Sequence, residues 1–524
     1  MYFAASSDAA EAKWLVTKTS DGYVFQSAAH QTYMTSDAGL SSNAENISIS
    51  DLNASVTDYS VKYDLSALNA LDSLNGIQVI SRLHTLGLSR SDLMNPEANM
   101  TSLNTNIQSA LSGLPTQTVQ YTGTDVDDLN QFLQNNTGKI VQLTQDIQVY
   151  KNTNGSFGII MVPSDTILDG NGHRLVMKAG YTEAPDVGVV LYVYKDGVIP
   201  STNCGVKNLS TDIPYVNSIN VFSADNILIE NNTLNNATKS GIMISDEYGS
   251  TVNGIIRGNT INNVGDDAIA VYGNHSNLLI DSNRISGAKG FAGIAISCLQ
   301  NGQQIRVDNE TTGPHDIIVT GNVVSGCSGE ALYCIGSYKT YITYNTLRDS
   351  ILEGVCLDSG CIGNYFAHNE VVNNGIAGGL PGVSIDNGIY NIVDSNNVYN
   401  NSCSGIKLVR TGLGNIIVNN ICTDNAYNQM GAKSSGIDIE PLAVETENLG
   451  YIDGLGSNWN VVLNNTVTGS HDFGVFIADD DTANNGGSSC ENVIMYNKFS
   501  SAYTFGAADF SSMSSTVKNN ITLN

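Results

Sequence analysis

Asparagine returns along this chain at a spacing that few folds can use. Beyond residue 220 an Asn-x-apolar step recurs at Asn232, Asn259, Asn283, Asn322, Asn345, Asn369, Asn396, Asn419, Asn465 and Asn497, with most gaps between 23 and 27 residues. Shortly after several of these steps come a small residue and an alternating strand. Examples are Gly241-Ile-Met-Ile-Ser, Gly293-Ile-Ala-Ile-Ser, Gly354-Val-Cys-Leu-Asp, Gly382-Val-Ser-Ile-Asp, Gly405-Ile-Lys-Leu-Val and Gly436-Ile-Asp-Ile-Glu. A unit this short has little room for the crossover helix of a βαβ element, but it suits one coil of a parallel β-helix. At a turn, each Asn amide can bond to the Asn of the next coil and build a ladder. Leucine-rich repeats have a similar period, but their leucine framework is missing. The expected fold is therefore all-β: a right-handed parallel β-helix over 139–524, capped by a partly helical N-terminal region over 1–138.

Three helices are expected in that region. Between Asp64 and Leu86 the residues Leu65, Leu68, Leu71, Leu74, Ile77, Ile80 and Leu83 recur every third position. A second helix follows Asn95-Pro96, with Leu103, Ile107 and Leu111 on one face, and a third starts near Thr124-Asp125, with Leu129, Phe132 and Leu133. A solenoid exposes core at its ends, and such helices would pack on it or cap it.

Charge narrows the partners. The chain carries 50 Asp+Glu against 23 Lys+Arg, a net charge of -27. That field repels nucleic acid and anionic membrane surfaces. No apolar run is long enough to span a bilayer, so membrane insertion is not expected. With 14% charged residues and abundant Asn, Ser, Gly and Tyr, the composition is that of a secreted or cell-surface β protein. The start, Met1-Tyr2-Phe3-Ala4-Ala5, lacks the basic and apolar regions of a secretory signal. The nine cysteines form no CxxC pair and read as small buried residues rather than a zinc site. Oligomeric state is left open.

Alternation along each strand places the chemistry. The second and fourth residues of each quoted segment point inward, and the third and fifth point out. The outward residues are Met243 and Ser245, Ala295 and Ser297, Tyr333, Cys356 and Asp358, Ser384 and Asp386, Lys407, Asp438 and Glu440, then Phe476. Arg410 follows the Lys407 strand. Four carboxylates and one or two cations thus gather over four coils. Asp358 and Asp386 should lie about 5 Å apart, and Asp386 and Glu440 about 10 Å, from the spacing of adjacent strands. These separations bracket the retaining and inverting geometries of glycoside hydrolysis. Crowded carboxylates also raise one pKa, as a general acid requires. Asp358, Asp386, Asp438 and Glu440 are therefore the candidate catalytic residues. Tyr333, Lys407, Arg410 and Trp459 are the candidate substrate-binding residues. Insertions near Leu299–Pro314 and Pro441–Asn458 would rise beside them, and the second carries Tyr451.

A second acidic set, Asp246, Asp266 and Asp267, repeats at about one coil and is the alternative catalytic centre. Each set also has a plainer explanation: a solvated solenoid face for the first, and turn-forming Asp residues for the second. His275, His368 and His471 have no ligand spacing. No metal site is expected among the candidate residues and no cofactor is required, although Asp479-Asp480-Asp481 forms a loop of the kind that can hold calcium.

From Lys139 onward the repeats resemble those of the pectin-lyase-like superfamily of β-helix carbohydrate enzymes. Asp246 and Gly265-Asp266-Asp267-Ala268-Ile269-Ala270 look like the Asp and Asp-Asp pattern of polygalacturonase-type hydrolases, whose following Gly-His and Arg-x-Lys elements are not matched here. The helical start before an acidic β-helix is similar to lacto-N-biosidase-type hydrolases, which use paired Asp residues. The resemblance implies a carbohydrate partner. The expected function is a secreted glycoside hydrolase with a two-carboxylate mechanism. Two alternatives stay open. One is a polysaccharide lyase or uronate epimerase, with Lys407 as base and Arg410 on the uronate. The other is a non-catalytic tailspike- or adhesin-like glycan binder.

Overall fold

The computed structural model describes strands within residues 2–41, then residues 88, 90–93, 95–151, 158–194, 197–300, 303–304, 313–426, 435–441, 456–478, 488–500, 505–512 and 515–523. The chain divides into two units, Met1–Asn69 and Ala70–Asn524. In the first, five short strands from Tyr2–Ala4 to Leu40–Ser41 pair in sequence as an antiparallel meander. The first 60 residues are rich in Ser, Asn and Asp, and the sequence predicts no element in them. The expected helix over Asp64–Leu86 lies outside the described residues.

The second unit is the parallel β-helix that the repeats predict. Among the described residues its strands stack into three parallel sheets of 15, 14 and 13 strands. Each coil visits them in fixed order. Asn217–Phe222 lies in the 13-stranded sheet, Asp225–Glu230 in the 15-stranded sheet and Thr233–Asn235 in the 14-stranded sheet. Ile242–Ser245 then returns to pair with Asn217–Phe222. Register follows the apolar pattern: Ile219, Ile242, Ile269 and Ile294 align on successive coils, all fully buried. A slip of one residue would turn each such column into solvent, so the pattern itself fixes the register.

The asparagine ladder is present, with one correction. It runs Asn232, Asn259, Asn283, Asn322, Asn345, Asn369, Asn396, Asn420, Asn465, Asn497 and on to Asn520. Asn420 takes the place expected for Asn419. Asn419 sits one residue earlier in the left-handed region, φ 59°, and its amide donates to Asp394 instead. Asn tolerates that conformation better than most residues, and the corner preceding the ladder needs it. Two further ladders share the coils. One joins Asn364, Asn391, Asn415, Asn460 and Asn492, and the other joins Asn374, Asn401 and Asn425. The last ladder ends where the backbone N–H of Asn425 donates to His471 Nε2 at 3.1 Å.

Of the two expected helices that fall within the described residues, one covers the core end. Val126–Asn135 starts at Asp125, whose side chain accepts from Asp127 N, and buries Val126, Leu129 and Leu133 in the solenoid core. Pro96–Ala110 instead runs beside the 15-stranded sheet, where Glu97 accepts from Tyr365 OH. All nine cysteines are buried free thiols.

Candidate active site

The 13-stranded sheet carries the acidic cluster on its outward face. Pairing aligns Ala295, Tyr333, Cys356, Ser384, Lys407, Asp438 and Phe476 as one outward column. A second column runs through Ser245, Tyr272, Ser297, Ile335 and Asp358, and Asp386 follows at the end of the next strand. The expected outward set is thus brought together, because alternation and coil length leave these side chains no other face.

Two charged groups organise the cluster. In the first, Arg410 Nη1 lies 2.7 Å from Asp386 Oδ2 and 4.0 Å from Asp358 Oδ1. Asp358 also accepts from Tyr333 OH at 2.8 Å and from Ser359 N and Oγ at 2.6 and 2.9 Å. In the second, Lys407 Nζ meets Glu440 Oε2 at 2.7 Å. Asp438 lies beside this pair, 1% exposed, and accepts from Ser404 Oγ at 3.2 Å.

Burial separates the acids. Burial first, and the charge of Asp358 second, push the Asp386 carboxyl up to about 7 against the pull of Arg410. Among the described residues, Asp386 Oδ1 has no hydrogen-bond partner, while Oδ2 is held by Arg410. Asp438 is raised well above its ordinary value by burial and then by Glu440, more than Lys407 lowers it. Burial disfavours charge on Lys407, but Asp438 and Glu440 outweigh it and hold the ammonium above the usual lysine range.

Two acids of this cluster are not among the expected site residues. Glu353 and Glu330 stand just before the small residues Gly354 and Ala331 that open their strands. Burial first, then Glu330, raises Glu353 to about 7, and burial chiefly raises Glu330. Both also feel Asp358. The signal for them was the position immediately before each small residue, one step outside the alternating segments. Apolar rings flank the acids on both sides: Phe291 against Tyr333, and Phe473 with Phe476 and Phe510.

The alternative acidic set does not assemble. Ser245 pairs with Tyr272, whereas Ile242 N bonds to Ala268 O, so Asp246 and Asp267 stand at opposite ends of neighbouring strands. Asp246 accepts from Asn274 N in a turn. Asp267 is fully buried, bonded to Tyr272 OH and Ala292 N, and its carboxyl is pushed to about 7, chiefly by burial. Asp266, its chain neighbour, adds a like charge to it. Trp459 is 8% exposed in the next corner and donates to Glu491, so it offers little ring face for stacking. Tyr451, Asp479-Asp480-Asp481 and most of both long insertions lie outside the described residues. Among the described residues no cluster of His, Cys, Asp or Glu is arranged to hold a metal, and no helix is long and apolar enough to cross a membrane.

Residues 191–312 match the family described as the right handed beta helix region. No curated protein matches the chain. Solved structures are similar to this chain at low identity. The mannuronan C-5 epimerase AlgE6 A-module of Azotobacter vinelandii is 13% identical, with a TM-score of 0.45, over 77% of this chain and 100% of its own. A tailspike protein double mutant of E. coli bacteriophage HK620 is 15% identical, TM-score 0.47, over 75% of this chain and 74% of its own. PfbA, a surface adhesin of Streptococcus pneumoniae, is 12% identical, TM-score 0.43, over 72% of this chain and 90% of its own. The second unit is a right-handed parallel β-helix.

Proposed function

We propose that this protein is a glycoside hydrolase whose reacting pair is Asp358 and Asp386. One observation carries the reading. The two carboxylates stand on adjacent coils, share one guanidinium nitrogen, and differ in environment. Adjacent strands are about 4.8 Å apart, the separation at which one carboxylate attacks the anomeric carbon while the other serves as acid and then base. Asp386, with its carboxyl near 7, is the acid and protonates the leaving oxygen. Asp358, fixed by Tyr333 OH and both Ser359 donors, is the nucleophile. A glycosyl-enzyme forms on Asp358, and water activated by Asp386 releases the sugar with retained configuration.

Elimination or epimerisation fits less well. With Lys407 as the base it needs a neutral amine to remove the C5 proton, yet the 2.7 Å ion pair with Glu440 favours the charged ammonium. Lys407 and Arg410 instead orient hydroxyls and fix the acids. The chemistry draws on side chains alone, and the composition supports action outside the cell.

The test is digestion of a glycan panel with the full chain, followed by mass spectrometry and proton NMR. Hydrolysis adds one water to the product pair, and retention gives the substrate's own anomer first. Asp358→Asn and Asp386→Asn should each lower kcat by about a thousandfold or more. An unsaturated product, or full activity in either variant, would overturn the reading.

A further inference from the structure

Beside the helix Pro96–Ala110 the solenoid carries a cleft of about 300 Å³. The acids stand on the 13-stranded sheet, whereas this cleft opens on the 15-stranded one. Its two walls are polar and come from different elements. Thr101, Asn104 and Gln108 fall at i, i+3 and i+7 of the helix, so they share one side of it, and all three are exposed. The other wall is Asp281, Thr320 and Thr343, aligned by register on successive coils. Leu279 and Ile318, also level with each other, form a small apolar floor.

These polar groups have bonding capacity left. Thr320 Oγ1 accepts from Thr343 Oγ1 at 3.1 Å, so its own hydroxyl hydrogen is left for another acceptor. Thr101 Oγ1 donates to Glu97 O at 2.8 Å and keeps its lone pairs. Asp281 Oδ1 accepts from Ser282 Oγ at 2.7 Å, and a carboxylate accepts more than one such bond. The amides of Asn104 and Gln108 offer both donors and acceptors.

The rim carries Tyr344, at 63% the most exposed large hydrophobic side chain among the described residues. One face of its ring stacks on His368 of the following coil, with centroids 5.0 Å apart and 12° between the planes. The other face turns toward the preceding coil, where register places Gly321, which has no side chain to cover it. An open ring face thus stands over hydroxyls, amides and a carboxylate. A sugar ring matches that combination, with its C–H face on the tyrosine and its hydroxyls on the walls. Phosphate or sulfate would meet no cation among the lining residues. Arg257, level with Asp281 on the preceding coil, is bonded to Glu230 at 2.6 Å. The volume lies at the small end of the ~300–1,000 Å³ that small ligands occupy, which suits a short saccharide and not an apolar peptide or lipid anchor.

We infer that this cleft is a second carbohydrate site, which holds a mono- or disaccharide unit between the helix and Asp281 with one sugar ring on Tyr344. It goes beyond the hydrolase reading and does not rest on it.

The test is a calorimetric titration of the full-length Asp386→Asn protein, chosen to hold back turnover. The probes are glucose, galactose, mannose, xylose, N-acetylglucosamine and disaccharides of each, with inorganic phosphate as the anionic control. At least one sugar should bind with a Kd on the order of 1 mM or tighter. Adding Tyr344→Ala, or separately Gly321→Asn, should weaken that binding by about tenfold. Gly321→Asn blocks the ring face without disturbing the fold. Asn tolerates the φ of 65° there, and a Cβ at this position would come no closer than 3.4 Å to Asp281 Oδ1 and Ser282 Oγ. Sugar binding that either variant leaves unchanged belongs elsewhere and would overturn the inference. Phosphate binding in place of sugar, or binding of no probe, would overturn it too. The hydrolase reading is tested separately, by the glycan digest.

Discussion

Arg410 and Asp386 are joined at 2.7 Å, yet the carboxyl of Asp386 is pushed up to about 7. Attraction to the guanidinium loses to burial and to the neighbouring charge of Asp358. The pair therefore keeps an acid protonated for part of the time at neutral pH while holding it in one place. Activity that depends on this proton should fall as pH rises through about 7. Arg410→Met removes the opposing pull, so the carboxyl rises further. The alkaline limb of kcat/KM should move up by roughly one to three pH units. A limb that stays in place would mean that Asp386 is not the titrating acid.

The coils were legible in the sequence because their physics is local. Inward Ile and Val, small residues at strand starts and Asn at corners recur at one period, and each element is too short to be anything but a strand. Asp358, Asp386, Lys407 and Asp438 could be set side by side from that period alone. Glu330 and Glu353 could not, since they sit in corners where the alternation rule stops applying. Burial was equally hidden: Ser404, Lys407 and Glu440 cover Asp438, and only three dimensions show that an outward position can be closed to water. The one-residue slip between Asn419 and Asn420 arose because two adjacent asparagines both suit the corner, one through its left-handed backbone and one through its amide.

That slip gives a stability test. Asn420 donates from its backbone N–H and amide to Asn465 and from its amide to Val393 O, while its own Oδ1 accepts from Asn396. Asn420→Ala leaves several buried partners unpaired, at about 1–3 kcal/mol each. Asn419→Gly keeps the left-handed backbone and loses one part-buried bond to Asp394 and one exposed bond from Asn464, so its cost should be about 1 kcal/mol. Urea titrations of the two variants should separate them clearly. Equal midpoints would refute the ladder assignment.

His471 should make the fold acid-sensitive. Its carboxylate neighbours favour charge, but burial dominates and lowers its pKa from the ordinary 6.5 to about 4. The neutral ring is the acceptor that ends the Asn425 ladder. A group depressed in the folded state contributes stability that is present above its unfolded pKa. It is lost as pH falls from about 6.5 toward 4, because the unfolded chain takes up the proton first. His275 is lowered to about 4 in the same way and adds to the effect. His471→Asn continues the ladder with a side chain that does not titrate. Its Tm should drop less than that of the parent between pH 7 and pH 4.5, and thermal scans at those two values decide the matter.

Glu353 works in the opposite direction. Burial, then the charge of Glu330, raises its carboxyl from the ordinary 4.5 to about 7. A group raised in the folded state contributes stability that is fully present below the unfolded pKa and is lost as pH rises through the folded one. The loss therefore falls between about pH 4.5 and pH 7, and above that window a buried carboxylate stands beside Glu330 and Asp358. Glu353→Gln keeps the shape and removes the titration. Its Tm should exceed the parent's by about 3 °C at pH 8 and match it at pH 4.5, where both side chains are neutral in the folded protein. A gain of equal size at both pH values would point to packing instead of charge as the origin. No gain at either would mean that the cluster already relieves this carboxylate through solvent.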